Sequence, residues 1–495
     1  MLDTIIVNKK KLDWLVVERG FNIPSFNFIT EREKVNGRAG SVRKSRNIEE
    51  LEFELPLIVR NDYLSPGGKK SHDEILKKLV DFFKYDEAVE LRFKSQSWFW
   101  KAYFDGPIEL PKNPREFIKF TIKVVLLDPF KYSTNEYENT AISDEVVIVN
   151  KGTADTPVTI EARALKNAPY YMITKNDEDY FKVGVDDVNE VAKDYSPNIL
   201  SDEFRTTTGW TKTTSGNISD TLFGGIVGGT YKIEKNGEGF EVSTFPSGSG
   251  WIGSQYKKAF SRQAQDFKVT VKAIIYQSNR GAGKVAYHLY DTDNRILASL
   301  GYINTSPGNP NGKFVITLFN QSGGESKVLE ARNVPFVNKM KTLIIYMSIE
   351  RVGQLIKLKT WLFDHNKDPN RIKPLQIVNK SVTDSGNFYQ RPVSSIGVYQ
   401  AKSTTINNYM KMHALGAYVS EKLPKKTGVK ELFIKQGDLI QIDTDSKVVM
   451  LNEEPILDKK TFGSDYFNVD SGKSELIIFP QGVFDTTVKW HDRFL

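Results

Sequence analysis

A chain of 495 residues is too long for one hydrophobic core, so roughly two to four separately cored units are expected. It contains no cysteine, which excludes disulfides, thiolate metal sites and thiol nucleophiles, and suits assembly in a reducing cytosol. The net charge of +7 comes from 68 basic and 61 acidic residues in interleaved order, without the concentrated basic face of a nucleic-acid binder.

The N-terminal MLDTIIVNKKKLDW has an apolar run too short for a signal-peptide core. No stretch approaches the ~20 apolar residues of a membrane span, so a soluble chain without an export signal is expected. The first basic cluster is VNGRAGSVRKSR, in which Arg38, Arg43, Lys44 and Arg46 are interrupted by glycines. It reads as a projecting flexible loop, solvated or at an interface. Strands are predicted at LEFELPLIV (51–59), AVELRF (88–93), WFWKAYF (98–104) and FIKFTIKVVLLD (117–128). Between the first two, Ser71-His72-Asp73-Glu74 forms a capping box, and Ile75, Leu76, Leu79, Phe82 and Phe83 follow at helical spacing.

From Asp144 to Asp186 the runs EVVIVN, TPVTIEARA, PYYMITK and DYFKVGV follow one another quickly, each bounded by turn residues, as in a β-sandwich. The segment VAKDYSPNILSDEF is then a Pro-containing linker. Residues 199–420 read as an independent all-β unit, with strands such as FKVTVKAIIY, KVAYHLYD, KTLIIYMSIE and LIKLKTWLFD, and suit a jelly-roll sandwich. Near the C-terminus, KQGDLIQIDTDSKVVMLNEE (435–454) reads as a hairpin: Ile440 and Ile442 alternate with Gln441 and Asp443, and Asp443-Thr444-Asp445-Ser446 supplies the turn. Two strands alone are marginal in water. The missing partners are expected before Asp186, so that one sandwich is split by an inserted one. Four consecutive small domains is the alternative.

Taken together, VNGRAG (35–40), the helix DEILKKLVDFF, ELRF…WFWKAYFDG, LDPFKYS (127–133), GDLIQIDTDSKVVMLNEE and the terminal WHDRFL resemble the phage distal tail proteins, hub components of long non-contractile tails. The resemblance covers nearly all of 1–186 and 428–495. It implies a mainly β protein with an N-terminal β-barrel- or sandwich-like domain carrying one helix (1–140), and a galectin-like C-terminal sandwich in two parts (141–198 and 421–495). The stretch 199–420 resembles, by pattern, the concanavalin- or laminin-G-like sandwiches that long members carry as carbohydrate-binding modules. The family plan implies a homohexameric ring at the tail tip, and in such a ring the charged loop with Arg38, Arg43, Lys44 and Arg46 is expected at the subunit interface. It further implies a tail tube protein and a tail-tip hub protein as partners and a place in the virion after synthesis in the host cytoplasm. For the middle sandwich, host-cell-wall polysaccharide or teichoic acid is the expected ligand. A monomeric carbohydrate-binding adhesin or a wall-glycan hydrolase is the alternative.

The residues themselves carry little chemistry. His72, His288, His365, His413 and His491 are scattered without metal spacing, and no phosphate loop or nucleophile elbow is present. No enzyme activity, cofactor or metal is expected. Asp291, Asp293 and Asn294 alternate as in a calcium loop, but their place between two strands favours a hairpin turn. Sugar recognition needs aromatic faces with polar neighbours. On that ground Trp251, Tyr256, Tyr287 and Trp361 are the candidate contacts, and Lys257, Lys258 and Lys272 would favour an anionic polymer.

Overall fold

The computed structural model describes all residues except 1–2, 61–62, 64–69, 112–117, 186–192, 277–280, 306–311, 333–341, 427–428 and 430. Part of the linker VAKDYSPNILSDEF therefore lies outside the described residues. The chain is mainly β, in two sheets built from its two ends, two sheets built from its middle, and one separate hairpin.

The N-terminal part packs the helix His72–Phe83 onto a sheet. Both capping-box bonds are present: Ser71 Oγ accepts from Glu74 N at 3.2 Å, and Ser71 N donates to Glu74 Oε2 at 2.9 Å. Ile75, Leu79, Phe82 and Phe83 face inward against Leu55, Leu57, Leu91, Trp100 and Val124. The apolar stripe at helical spacing thus meets strands whose alternate residues are apolar, and neither face is left to water.

The strand Ile118–Thr140 is 23 residues long and joins the two ends of the protein. Its first part pairs with Leu51–Val59, its middle with Trp98–Asp105, and its last part with the C-terminal strand Phe484–Phe494. It runs through the LDPFKYS segment without a break. Pro129, which has no N–H for a ladder, sits in one of the two places where the register with Trp98–Asp105 slips.

The hairpin at 439–451 also finds its partners. Leu439–Asp443 pairs with Val448–Leu451, and its other edge pairs with Val158–Ala164. Asp443 Oδ1 accepts the backbone N–H groups of Asp445 and Ser446, each at 3.0 Å, which holds the turn. A second sheet, in the order Glu145–Asn150, Gly472–Phe479, Tyr170–Thr174, Tyr180–Gly184, lies over it. Val146, Ile148, Ile160, Tyr171, Ile173, Ile440, Ile442, Leu476 and Val488 fill the space between.

The middle of the chain makes an eight-stranded and a nine-stranded sheet face to face. Their shared core holds Phe204, Phe240, Phe267, Tyr287, Leu300, Phe314, Leu343 and Val398. The first strand, Asn198–Asp202, and the last, Met412–Glu421, are paired to each other, so the chain enters and leaves this sandwich at one place. The sandwich also leans on the C-terminal hairpin. Glu453 receives Lys272 at 2.9 Å, together with Arg371 and Tyr346, and its carbonyl accepts Trp361 Nε1 at 2.8 Å. Glu454 pairs with Lys268 at 2.7 Å and Lys359 at 3.3 Å. Met450 packs among Ile274, Tyr346, Trp361 and Phe363.

The alternation of Ile440 and Ile442 with Gln441 and Asp443 suggests a strand with one buried face, and that contact corrects the expectation. Gln441 and Asp443 are buried along with Ile440 and Ile442. The polar side is roofed by the middle sandwich, from which Lys373 reaches Asp443 at 3.1 Å.

Candidate functional site

Two regions hold the residues singled out in the sequence. The basic cluster at 38–46 is a β-hairpin rather than a flexible loop: Phe28–Glu33 pairs with Val42–Ile48 and with no other strand among the described residues. Gly37 (φ 81°) and Gly40 (φ 85°) take the left-handed conformations at its tip. Arg38, Arg43 and Lys44 are exposed, and the Arg46 guanidinium lies 4.1 Å from the centre of the Phe28 ring. Phe26, Phe28, Ile29, Val35 and Val42 are exposed as well, so the hairpin presents apolar and cationic groups together.

The four candidate sugar-contact aromatics are not brought together. Tyr287 is 0% exposed and Tyr256 is 9% exposed, both inside the core between the sheets. Trp361 is 1% exposed because it is stacked on Tyr346, with ring centres 5.0 Å apart, beneath the Glu453 turn. Core packing and docking remove these three from any ligand, which corrects that expectation. Trp251 is half-buried, and Lys284 Nζ lies 4.5 Å from its ring. Of the three lysines, Lys258 is held by Asp202 at 2.6 Å and Lys272 by Glu453 at 2.9 Å, whereas Lys257 donates to the Asn294 amide oxygen at 2.9 Å.

The outer face of the nine-stranded sheet, away from the core, is where polar side chains gather. Alternation along Trp251–Ala264 sends Tyr256 inward and Gln255 and Lys257 outward. Along Gly283–Tyr290 it sends Tyr287 inward and Lys284, His288 and Tyr290 outward. Much of this face is sealed by the segment 218–227. Phe223 lies on Gly301, where an added Cβ would come within 2.4 Å of its ring. Ile218 and Val227 pack on Tyr399 and Ala401.

Under this strap Lys284 Nζ donates to the carbonyls of Leu222, at 3.1 Å, and Gly224. His288 Nε2 stands 3.5 Å from Asp220 Oδ2. Burial pushes the Lys284 ammonium down to about 7, against the pull of Asp220. Asp220 is itself buried, yet the His288 ring and the Phe223 N–H bring its carboxyl down to about 2. The pattern is that of a tied-down strap with its polar groups trapped beneath it.

Beyond the strap the face opens into a groove of about 470 Å³. Lys257, Tyr290, Asn217, Asn294, Asn320 and Arg391 line it. Asp291 at its edge is saturated by protein donors: Oδ1 takes the N–H groups of Asp293 and Arg295 at 3.0 and 2.9 Å, and Oδ2 takes Arg295 and Arg391 at 3.0 and 2.6 Å. The Asp291–Asn294 segment is thus a hairpin turn. Among the described residues no group of three or more His, Asp or Glu could hold a metal ion, and no helix is long and apolar enough to cross a membrane.

Sequence comparison reaches both ends of the chain. Residues 10–126 match the family model described as the phage tail protein RIFT-related domain, and residues 393–494 match that of the siphovirus-type tail component, C-terminal domain. The two ends of the chain thus carry the domains of a siphovirus-type tail protein, which supports the resemblance to the distal tail proteins.

No curated protein sequence matches it. Among solved structures it is similar to the Dit protein of phage SPP1 (19% identity, 37% of this chain and 75% of that one, TM-score 0.31). It is also similar to the CBM2 module of the evolved Dit of Lactobacillus casei BL23 phage J-1 (15% identity, 48% and 100%, TM-score 0.37). A protein of galectin-like fold from Bacillus subtilis matches at 8% identity, over 48% and 99%, with a TM-score of 0.28. At these TM-scores the three are likenesses of shape and nothing more.

Proposed function

We propose that the chain is a structural virion protein that forms a homohexameric ring at the distal end of a phage tail and joins the tail tube to the tail-tip hub. The observation that carries this reading is the sheet shared by the two tail-component segments. The strand Ile118–Thr140, begun in the first, is hydrogen-bonded to Phe484–Phe494 of the second. The partners in this reading are other copies of the chain, a tail tube protein and a hub protein, met after synthesis in the host cytoplasm.

In the same reading, residues 1–140 build the ring. Residues 141–198 and 421–495 form one outward-facing sandwich, and 199–420 is an inserted module that binds host-wall glycan without hydrolysing it. The hairpin carrying Arg38, Arg43, Lys44 and Arg46 would meet carboxylates of a neighbouring subunit. Its exposed phenylalanines support an interface, because aromatic and arginine side chains together are what protein contacts are enriched in.

Multi-angle light scattering on the full chain tests the ring. A mass near six times 56.2 kDa at tens of micromolar is expected, and a species near 56.2 kDa would overturn it in favour of a monomeric adhesin. Charge reversal at Arg43 and Lys44 is expected to weaken assembly, whereas the same change at the exposed Lys235 and Lys380 of the middle sandwich is not.

A further inference from the structure

We propose that the groove on the outer face of the nine-stranded sheet is the glycan seat of the inserted module, and that it takes a polyol bearing an anionic group, with the Lys257 ammonium at the anion. The inference rests on the glycan-binding reading given above. The strap at 218–227 seals the neighbouring part of that face, so ligand-sized space remains where Lys257, Tyr290, Asn294, Arg295 and the turn at 320–323 surround it. About 470 Å³ lies within the range of small-ligand sites.

Charge fixes the class of ligand. Three cations and no carboxylate line the groove among the described residues. Two of the cations are already matched: Arg391 is bound to Asp291, and Arg295 to Asp291 and Asp293. Lys257 is the remaining one. Its neighbours are the neutral oxygen of Asn294 and the face of Tyr290, whose centre is 3.7 Å from Nζ. An ammonium has three donors, and a ring face and one amide oxygen leave it able to take an anionic oxygen. Burial disfavours its charged form, so an incoming anion would meet a cation short of partners. The asparagine amides and the Ser322 hydroxyl along the walls suit neutral hydroxyl groups on the same ligand. Phosphate on a polyol and carboxylate on a sugar both meet this description.

The test is affinity electrophoresis of the full chain through native gels containing poly(glycerol phosphate), polygalacturonate or neutral dextran. Retardation by at least one anionic polymer and not by dextran is expected, and the polymer that acts tells phosphate from carboxylate. Lys257→Gln should weaken retardation roughly tenfold, the loss of one charge-assisted hydrogen bond. Lys257→Arg should keep most of it, and Lys380→Gln, which removes the same charge elsewhere, should match the parent protein. If Lys257→Gln is retarded as strongly as the parent, the groove is not the seat, although glycan binding itself stands. If the parent is retarded by none of the three polymers, the glycan-binding reading fails and this inference with it.

Discussion

Replacing Glu453 by Gln keeps the shape of the turn and removes the charge on which the middle sandwich is docked. The carboxylate serves Lys272, Arg371 and Tyr346, and its side chain is 27% exposed while that of Lys272 is 9% exposed. Burial works against its ionisation, but Lys272 and Arg371 outweigh that and hold its carboxyl below the usual range. The stabilisation is therefore present above the unfolded carboxylate range and lost as pH falls through the depressed folded value.

Breaking a buried pair by removing one partner costs about 3–5 kcal/mol, and the residual exposure of Glu453 places this case near 3. In a unit of roughly 200 residues each kcal/mol moves the melting temperature by about 2–4 °C, so the first thermal transition should fall by roughly 6–12 °C. Differential scanning calorimetry of the full chain at pH 7 measures it. The double variant Glu453→Gln, Lys272→Met should recover part of the loss, because the ammonium left unpaired is gone. A shift under 1 °C, or a double variant worse than the sum of the singles, would refute a docking role for this network.

Further outcomes follow from single contacts. Lys284 has its folded value lowered to about 7, so from pH 7 to 9 the unfolded chain holds a proton that the folded one has released. Stability of the middle sandwich should rise over that window by up to about 1.4 kcal/mol per pH unit, and urea melts of Lys284→Met should not show the rise. Gly301→Val sets new carbon against the Phe223 ring and should cost roughly 1–3 kcal/mol in urea melts, with faster proteolysis within 218–227. Ser71→Ala removes one bond of the capping box and should cost about 1 kcal/mol, read from amide exchange in the helix 72–83.

What the sequence disclosed was local or periodic. The capping box is legible because four neighbouring residues make both of its bonds, and the strand Leu51–Val59 because alternation over nine residues has few other readings. The hairpin Phe28–Ile48 was not legible as strands. It buries no face, so FITERE and VRKSRNI carry no apolar period. Trp361 could be read as core or as open sheet face because a strand covered by a second body looks the same as one facing water. The contact that decides it comes from Glu453, far along the chain. The groove was invisible for a related reason: its walls come from segments near 217, 257, 290, 320 and 391, which only the fold brings together. The available signal was the outward alternation of Gln255 and Lys257, which marks a face without saying what lies opposite.

The strand Ile118–Thr140 has a mechanical consequence. Its contour is roughly 75 Å at about 3.3 Å per residue, and it belongs to both ends of the protein with no hinge between. A pull on the C-terminal sandwich along this strand does not peel one hydrogen bond at a time. It loads the rungs shared with Phe484–Phe494 together in shear, and the strand carries the same load on to the rungs shared with Leu51–Val59. Tension or twist arriving at the C-terminal sandwich would therefore reach the N-terminal sheet through a tie-rod rather than a tether.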